Sequence, residues 1–94
     1  MKRIYKYQIA ETDTQVVEMP EGAEILSVQT QRETICIWAL VDTDPSVRKV
    51  ERDILIVGTG NPMPENPGRF LGTVQLFNGG IVLHVFESLG RDGK

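Results

Sequence analysis

Seven residues of this 94-residue chain have types and spacing that chemistry could use: Gly58, Thr59, Gly60, Asn61, Arg69, His84 and Trp38. The first four open the run Gly58-Thr59-Gly60-Asn61-Pro62-Met63-Pro64, entered from the apolar Ile54-Leu55-Ile56-Val57. Glycine takes positive φ without a Cβ penalty and lets another group approach the backbone closely. Pro62 and Pro64 fix φ and stiffen the second half of the loop. Backbone amides pre-aimed in this way can converge on an anion, such as a nucleotide phosphate. The same composition also builds a sharp hydrogen-bonded turn at a sheet corner. Arg69 stands nine residues beyond Gly60, just after Pro67-Gly68. It would either close over an anion held by the loop or lie on the surface as an ordinary arginine.

The loop does not match the better-known phosphate motifs. It lacks the Gly-x-x-x-x-Gly-Lys-Ser/Thr pattern, and Met63 stands where a dinucleotide fingerprint needs glycine. His84, the single histidine, alternates with Leu83 and Val85 and so shares a side with Val82 and Phe86. It is either a hydrogen-bonded core histidine or a ligand contact in a pocket. Without a nucleophile motif or a second histidine, hydrolytic triads are disfavoured. Trp38 is either the largest core side chain or, at a rim, a stacking surface for a base. Cys36, the one cysteine, sits among apolar neighbours and reads as an inert small hydrophobe. It rules out four-cysteine metal sites and an intramolecular disulfide framework. Asp42 and Asp44 flank a turn, where aspartate accepts local backbone hydrogen bonds. No metal, no cofactor and no enzymatic activity are expected.

Charge narrows the partners. Ten lysines and arginines stand against thirteen acids, for a net −3. No basic block is present that would release many counterions from DNA, so general nucleic-acid binding is not expected. Arg48, Lys49 and Arg52 interleave with Glu51 and Asp53 and read as a solvated face of mixed sign. No apolar run approaches the ~20 residues of a membrane-spanning helix. Met1-Lys2-Arg3-Ile4-Tyr5 has basic residues with no apolar stretch behind them, so it does not read as a signal peptide. A cytoplasmic setting is the simplest expectation.

The elements that must hold these residues are strands. Hydrophobic residues make up 40% of the chain, enough for one small core. In Arg3 to Ile9, Tyr5, Tyr7 and Ile9 share one side; Val16-Val17 form a short strand closed by Met19-Pro20-Glu21-Gly22. Ile25 to Val28 starts a third run. Ile35 to Val41 is apolar at every position, as in a central strand buried on both sides. Val47 to Val57 begins charged and ends apolar, while Phe70 to Phe77 and Ile81 to Glu87 are joined by Asn78-Gly79-Gly80, a strong hairpin signal. Single helical turns are allowed near residues 20–24 and 45–49. The expected fold is all-β, a small sandwich or partly open barrel of about seven strands. A single domain over residues 1–87 would be followed by a loose tail at 88–94. Open edges in so small a fold favour a homo-oligomer.

The chain resembles a family of small phage and prophage proteins of uncharacterised function. The matching pieces are Ile4-Tyr5-Lys6-Tyr7, Glu18-Met19-Pro20-Glu21-Gly22-Ala23, Ile25-Leu26-Ser27-Val28-Gln29, Trp38-Ala39-Leu40-Val41-Asp42, Gly58 to Pro64, Phe70-Leu71-Gly72-Thr73 and His84-Val85-Phe86-Glu87. The resemblance covers about residues 3–87 and implies a phage context, in which small acidic proteins interfere with host defence or serve in assembly. Together with the loop, it gives the functional expectation of a non-enzymatic accessory protein. Such a protein would bind a small anionic, nucleotide-like ligand, sequestering a host-defence signal. The alternative is a protein-interaction or virion-assembly accessory with no small-molecule ligand.

Overall fold

In the computed structural model, which describes residues 1–88, the chain forms seven strands and no helix: β1 (Lys2–Ile9), β2 (Thr14–Pro20), β3 (Glu24–Gln31), β4 (Thr34–Asp42), β5 (Lys49–Gly58), β6 (Arg69–Leu76) and β7 (Ile81–Glu87). They make two antiparallel sheets, β1-β4-β3 and β2-β5-β7-β6, packed as a sandwich and not closed into a barrel. The shortest dimension is 16 Å, as two layers about 10 Å apart require once outward side chains are added. Residues 89–94 of the expected tail lie outside the described residues.

Period-2 alternation determines what each sheet buries. Ile35, Ile37, Ala39 and Val41 of β4 point into the core with Ile9 and Val28. From the other sheet come Met19, Ile54, Ile56, Val74, Leu76 and Val85. β4 is the middle strand of its sheet, as its apolar run implied, but its two sides differ. Cys36 is fully buried on the outward side, whereas Trp38 and Leu40 are only partly covered. Trp38 is therefore an outward residue and no part of the inter-sheet core.

The turns depart from expectation in instructive ways. β3 and β4 are joined by Arg32 (φ 51°) and Glu33 (φ 61°), two non-glycine residues in the left-handed region. A two-residue hairpin turn of that hand ordinarily calls for Asn-Gly. The expected hairpin between β6 and β7 is present, but Phe77 (φ 53°) leaves the strand and joins Asn78 (φ 55°) and Gly79 (φ 87°) in a four-residue turn. Both Glu33 carboxylate oxygens accept from the Phe77 amide, at 3.0 and 3.2 Å, clasping the two strained turns together. Neither segment allowed a helical turn forms one; Ala23 N–H to Pro20 O and Val47 N–H to Asp44 O close simple turns instead.

Candidate functional site

The Gly58 loop owes its course to topology. β5 and β6 each run antiparallel to β7, which lies between them, so β5 and β6 are mutually parallel. Parallel strands need a crossover connection, and residues 59–68 supply it without a helix. The inner side of the sheet is filled by the core, so this strap crosses the outward side. His84 is there, opposite Val57 and Thr73 in register. Thr59 Oγ1 lies 2.8 Å from His84 Nε2, and Thr73 Oγ1 lies 2.9 Å from Nδ1. Val57 faces outward yet is only 8% exposed, which the overlying strap explains.

Two amides of the proposed anion loop are used within the fold. Thr59 N–H donates to Val82 O at 3.2 Å, and Asn61 N–H donates to Gly58 O at 3.1 Å. Beside them runs a groove of about 390 Å³ lined by Asp13, Leu55, Val57, Gly58, Asn61, Pro62 and Pro64. Its lining is mainly apolar and carries a carboxylate, a poor match to a phosphate. The Thr59–His84 pair has hydroxyl–imidazole spacing, but both ring nitrogens are already engaged by threonines. The carboxylate that orients a catalytic imidazole therefore has no place at Nδ1.

Of the seven sequence-derived residues, the structure brings together Gly58, Thr59, Asn61 and His84, with Gly60 at the turn just after β5. Arg69 and Trp38 go elsewhere. Arg69 opens β6 and sits 3.5 Å from Glu87 Oε1. Trp38 lies on the other sheet.

A buried ion pair was not visible in the sequence. Arg52 lies opposite Val17 in β2 and so faces inward with that core-packed residue. Its Nε and Nη2 hold both carboxylate oxygens of Glu87, and Nη1 donates to Ala23 O at 2.9 Å. The two side chains are 17% and 11% exposed. The mixed-charge run 48–53 is thus no uniformly solvated face: Arg52 fastens the end of β7 to the start of β3. Bidentate geometry and a third acceptor satisfy a guanidinium that would be costly to bury alone.

A second groove, also about 390 Å³, opens where β1 and β2 form the sandwich's free side. Tyr5 and Tyr7 form one wall; Glu18, Pro20 and Lys49 form the other, and the 42–47 loop closes the end. At the opposite end Gln15 pins the sheets together, its side chain accepting from Ala10 N–H and donating to Ala10 O. The wedge thus opens away from that corner. Burial and the neighbouring Tyr5 both raise the Tyr7 pKa, so its hydroxyl stays protonated across the neutral range. Sequence reasoning missed this place, since Tyr5 and Tyr7 read only as one side of a strand and Pro20 as a strand end. The juxtaposition of edge strands from different sheets is what brings them to one groove. Among the described residues, no group of three or more His, Cys, Asp or Glu is placed to hold a metal ion, and no helix is long and apolar enough to cross a membrane.

The geometry defines a two-sheet β-sandwich with grooves beside the Gly58 loop and at the Tyr5–Tyr7 side. The chain belongs to the family described as domain of unknown function DUF7352, whose model matches residues 1–92. No curated protein and no solved structure matches it.

Proposed function

We propose that this chain is a non-enzymatic accessory protein that binds an extended segment of a partner protein at its open side. The supporting observation is the coincidence of the Tyr5–Tyr7 groove with the free edge of β1. That edge pairs with β4 over all eight residues without a register break. The other edges are less fit to accept a strand: β3 is bulged at Leu26, β6 at Leu71, and β2 ends in Pro20. Strand addition draws affinity from backbone hydrogen bonds and selectivity from pockets for alternate side chains, and here the groove supplies those pockets. A phage or prophage setting belongs to the same proposal and rests on the resemblance.

Capture of a small anion at Gly58 to Asn61 is the second reading, favoured only by the presence of an open groove beside the loop. It is weakened by that groove's apolar, carboxylate-bearing lining and by the Thr59 and Asn61 amides already engaged within the fold. One experiment separates the two. Peptides selected from a random library against the intact protein, then mapped by amide chemical shifts, should perturb residues 2–8 and the opposing 18–20. Nucleotides and cyclic dinucleotides should neither raise the melting temperature nor shift residues 58–61. Stabilisation by a nucleotide with shifts at 58–61 would replace the first reading by the second; peptides mapping elsewhere would remove the first outright.

A further inference from the structure

We infer that the outward side of the β1-β4-β3 sheet is a homodimer interface, with the two-fold axis parallel to the strands. The register shows which residues share that side. Ile4, Leu40 and Glu24 form one row across the three strands; Lys6, Trp38 and Ser27 form another, and Lys2 and Asp42 lie at one end. The middle of the patch is apolar, Trp38 and Leu40, extended by Ile4 at 59% exposure and by Leu26 at the bulge at 46%. Its rim is polar: Lys2, Lys6 and Gln8 along β1, and Glu24, Ser27 and Gln29 along β3. An aromatic, apolar centre inside a polar rim is how specific protein contacts are built. Lys6 Nζ donates to Gln31 Oε1 at 2.7 Å, bridging from β1 to β3 and leaving Cys36 fully buried beneath that half of the sheet. The apolar patch is the half left uncovered.

Charge selects the occupant and the axis. The β1 column on this side carries Lys2 and Lys6, whereas the β3 column carries Glu24. A two-fold axis along the strands lays β1 of one copy over β3 of the other. Ile4 then lies opposite Glu24 with Lys2 and Lys6 one row to either side of it, Leu40 meets Leu40, and Trp38 meets Trp38. The axis across the strands would instead oppose lysine to lysine. Either axis keeps the strands of the two apposed sheets nearly aligned, the common way for sheets to pack, so charge is what separates them. The outward side of the other sheet is crossed by the 59–68 strap, and its exposed apolar residues, Val16 at 45% and Phe70 at 54%, stand on opposite edge strands of that sheet. Three strands of about eight residues present a footprint of roughly 400 Å² per copy, below the ~1,000 Å² total of a stable interface, so the dimer is a weak, transient one.

The test is sedimentation velocity over a concentration series from a few to several hundred micromolar, alongside the emission of Trp38, the single tryptophan. The expected result is a monomer–dimer equilibrium with Trp38 emission moving to the blue as dimer forms. Ile4 faces Glu24 of the second copy, so Ile4→Glu should weaken association roughly tenfold or more. Ile4→Lys, which sacrifices the same apolar contact, should retain it. Both changes are at an exposed position and should leave the circular dichroism unchanged. Leu40→Cys should be joined to its counterpart by a short bis-maleimide, whose reach spans the ~10 Å between face-to-face sheets. A monomer at every concentration overturns the inference. A dimer equally insensitive to both Ile4 variants, or one that leaves Leu40→Cys un-cross-linked, places the interface elsewhere and overturns it as well.

Discussion

Gly68→Ala tests whether the end of the strap is as tightly built as its geometry demands. Gly68 has φ +92°, and a Cβ built there would lie 2.1 Å from Glu87 O and 2.8 Å from both Glu87 C and Ser88 Cα. These are backbone atoms of the last β7 residue and its successor, not a side-chain tip that can swing away. Left-handed backbone costs alanine about 1–2 kcal/mol. The Cβ must also push the end of β7 by close to an ångström, where Glu87 is held by Arg52 and Arg69. Disrupting a buried ion pair costs about 3–5 kcal/mol. Partial disruption plus backbone strain gives about 3–5 kcal/mol, a large share of the ~5–14 kcal/mol expected for a chain of this length. At ~4–8 °C per kcal/mol, thermal unfolding should fall by roughly 12–40 °C. Gly60→Ala is the internal control. Its φ is +88°, but nothing lies within 4 Å of the added Cβ, so only the strain of about 1–2 kcal/mol remains. Scanning calorimetry of both variants reads the difference. Melting temperatures within about 5 °C of each other would show that Gly68 is not pressed against β7, and the strap would not be anchored there.

Glu87→Gln should cost about 3–5 kcal/mol by denaturant midpoint, because it leaves the Arg52 guanidinium inside the sandwich without its carboxylate. The double variant Arg52→Met/Glu87→Leu should recover much of that loss. Arg32→Asn should stabilise the protein by about 0.5–1 kcal/mol in thermal melts, since asparagine tolerates the left-handed backbone that Arg32 adopts. Asp42 and Asp44 accept from the Asp44 and Ser46 amides, and these hydrogen bonds hold both carboxyls below their ordinary value of 3.8. A depressed folded-state pKa means that the contribution is complete above the unfolded value and is lost as pH falls through the folded one. The Asp44 and Ser46 amide shifts should therefore titrate with midpoints below 3.8, and a midpoint at or above it would contradict the turn geometry.

How much of this was legible in the sequence depends on whether the cause was local. Strand existence was, because alternation and β-branched runs are local: β4 stood out through Ile35 to Val41, and β7 through Ile81 to Glu87. The β6–β7 hairpin was visible in Asn78-Gly79, but the left-handed Phe77 was not, since nothing in a phenylalanine announces positive φ. The β3–β4 turn was invisible for the same reason. Arg32-Glu33 carries no turn residue, and its conformation is supported by a hydrogen bond to Phe77, a partner far along the chain. Arg52 read as solvated because its neighbours alternate in sign; its true partner, Glu87, is 35 residues away. Chemistry was assigned to the Gly58 loop from composition that a crossover strap also requires. Gly and Pro there serve a connection whose shape is dictated by the order β5-β7-β6, and strand order is not written in any local window.

That strap also explains why the two outer surfaces differ in what they offer. A β-sandwich whose connections were all hairpins or corners would leave both outward sides bare. Here one connection must run parallel to its sheet, and it covers Val57 and engages His84 on the way. The opposite sheet has only corner links and one hairpin, so no connection of the described chain crosses it and Trp38 and Leu40 stay only partly covered there. In the proposed dimer a second copy buries them further, and the lysines of β1 and Glu24 of β3, on opposite edges of the same side, set its orientation. The open wedge at Tyr5 and Tyr7 lies at the edge of the same sheet, around the corner from the patch. Pairing of two copies face to face therefore leaves the β1 edge and its groove accessible, and each dimer would present two such edges. A partner carrying two suitable segments would gain avidity from their fixed separation, which a monomeric protein would forfeit.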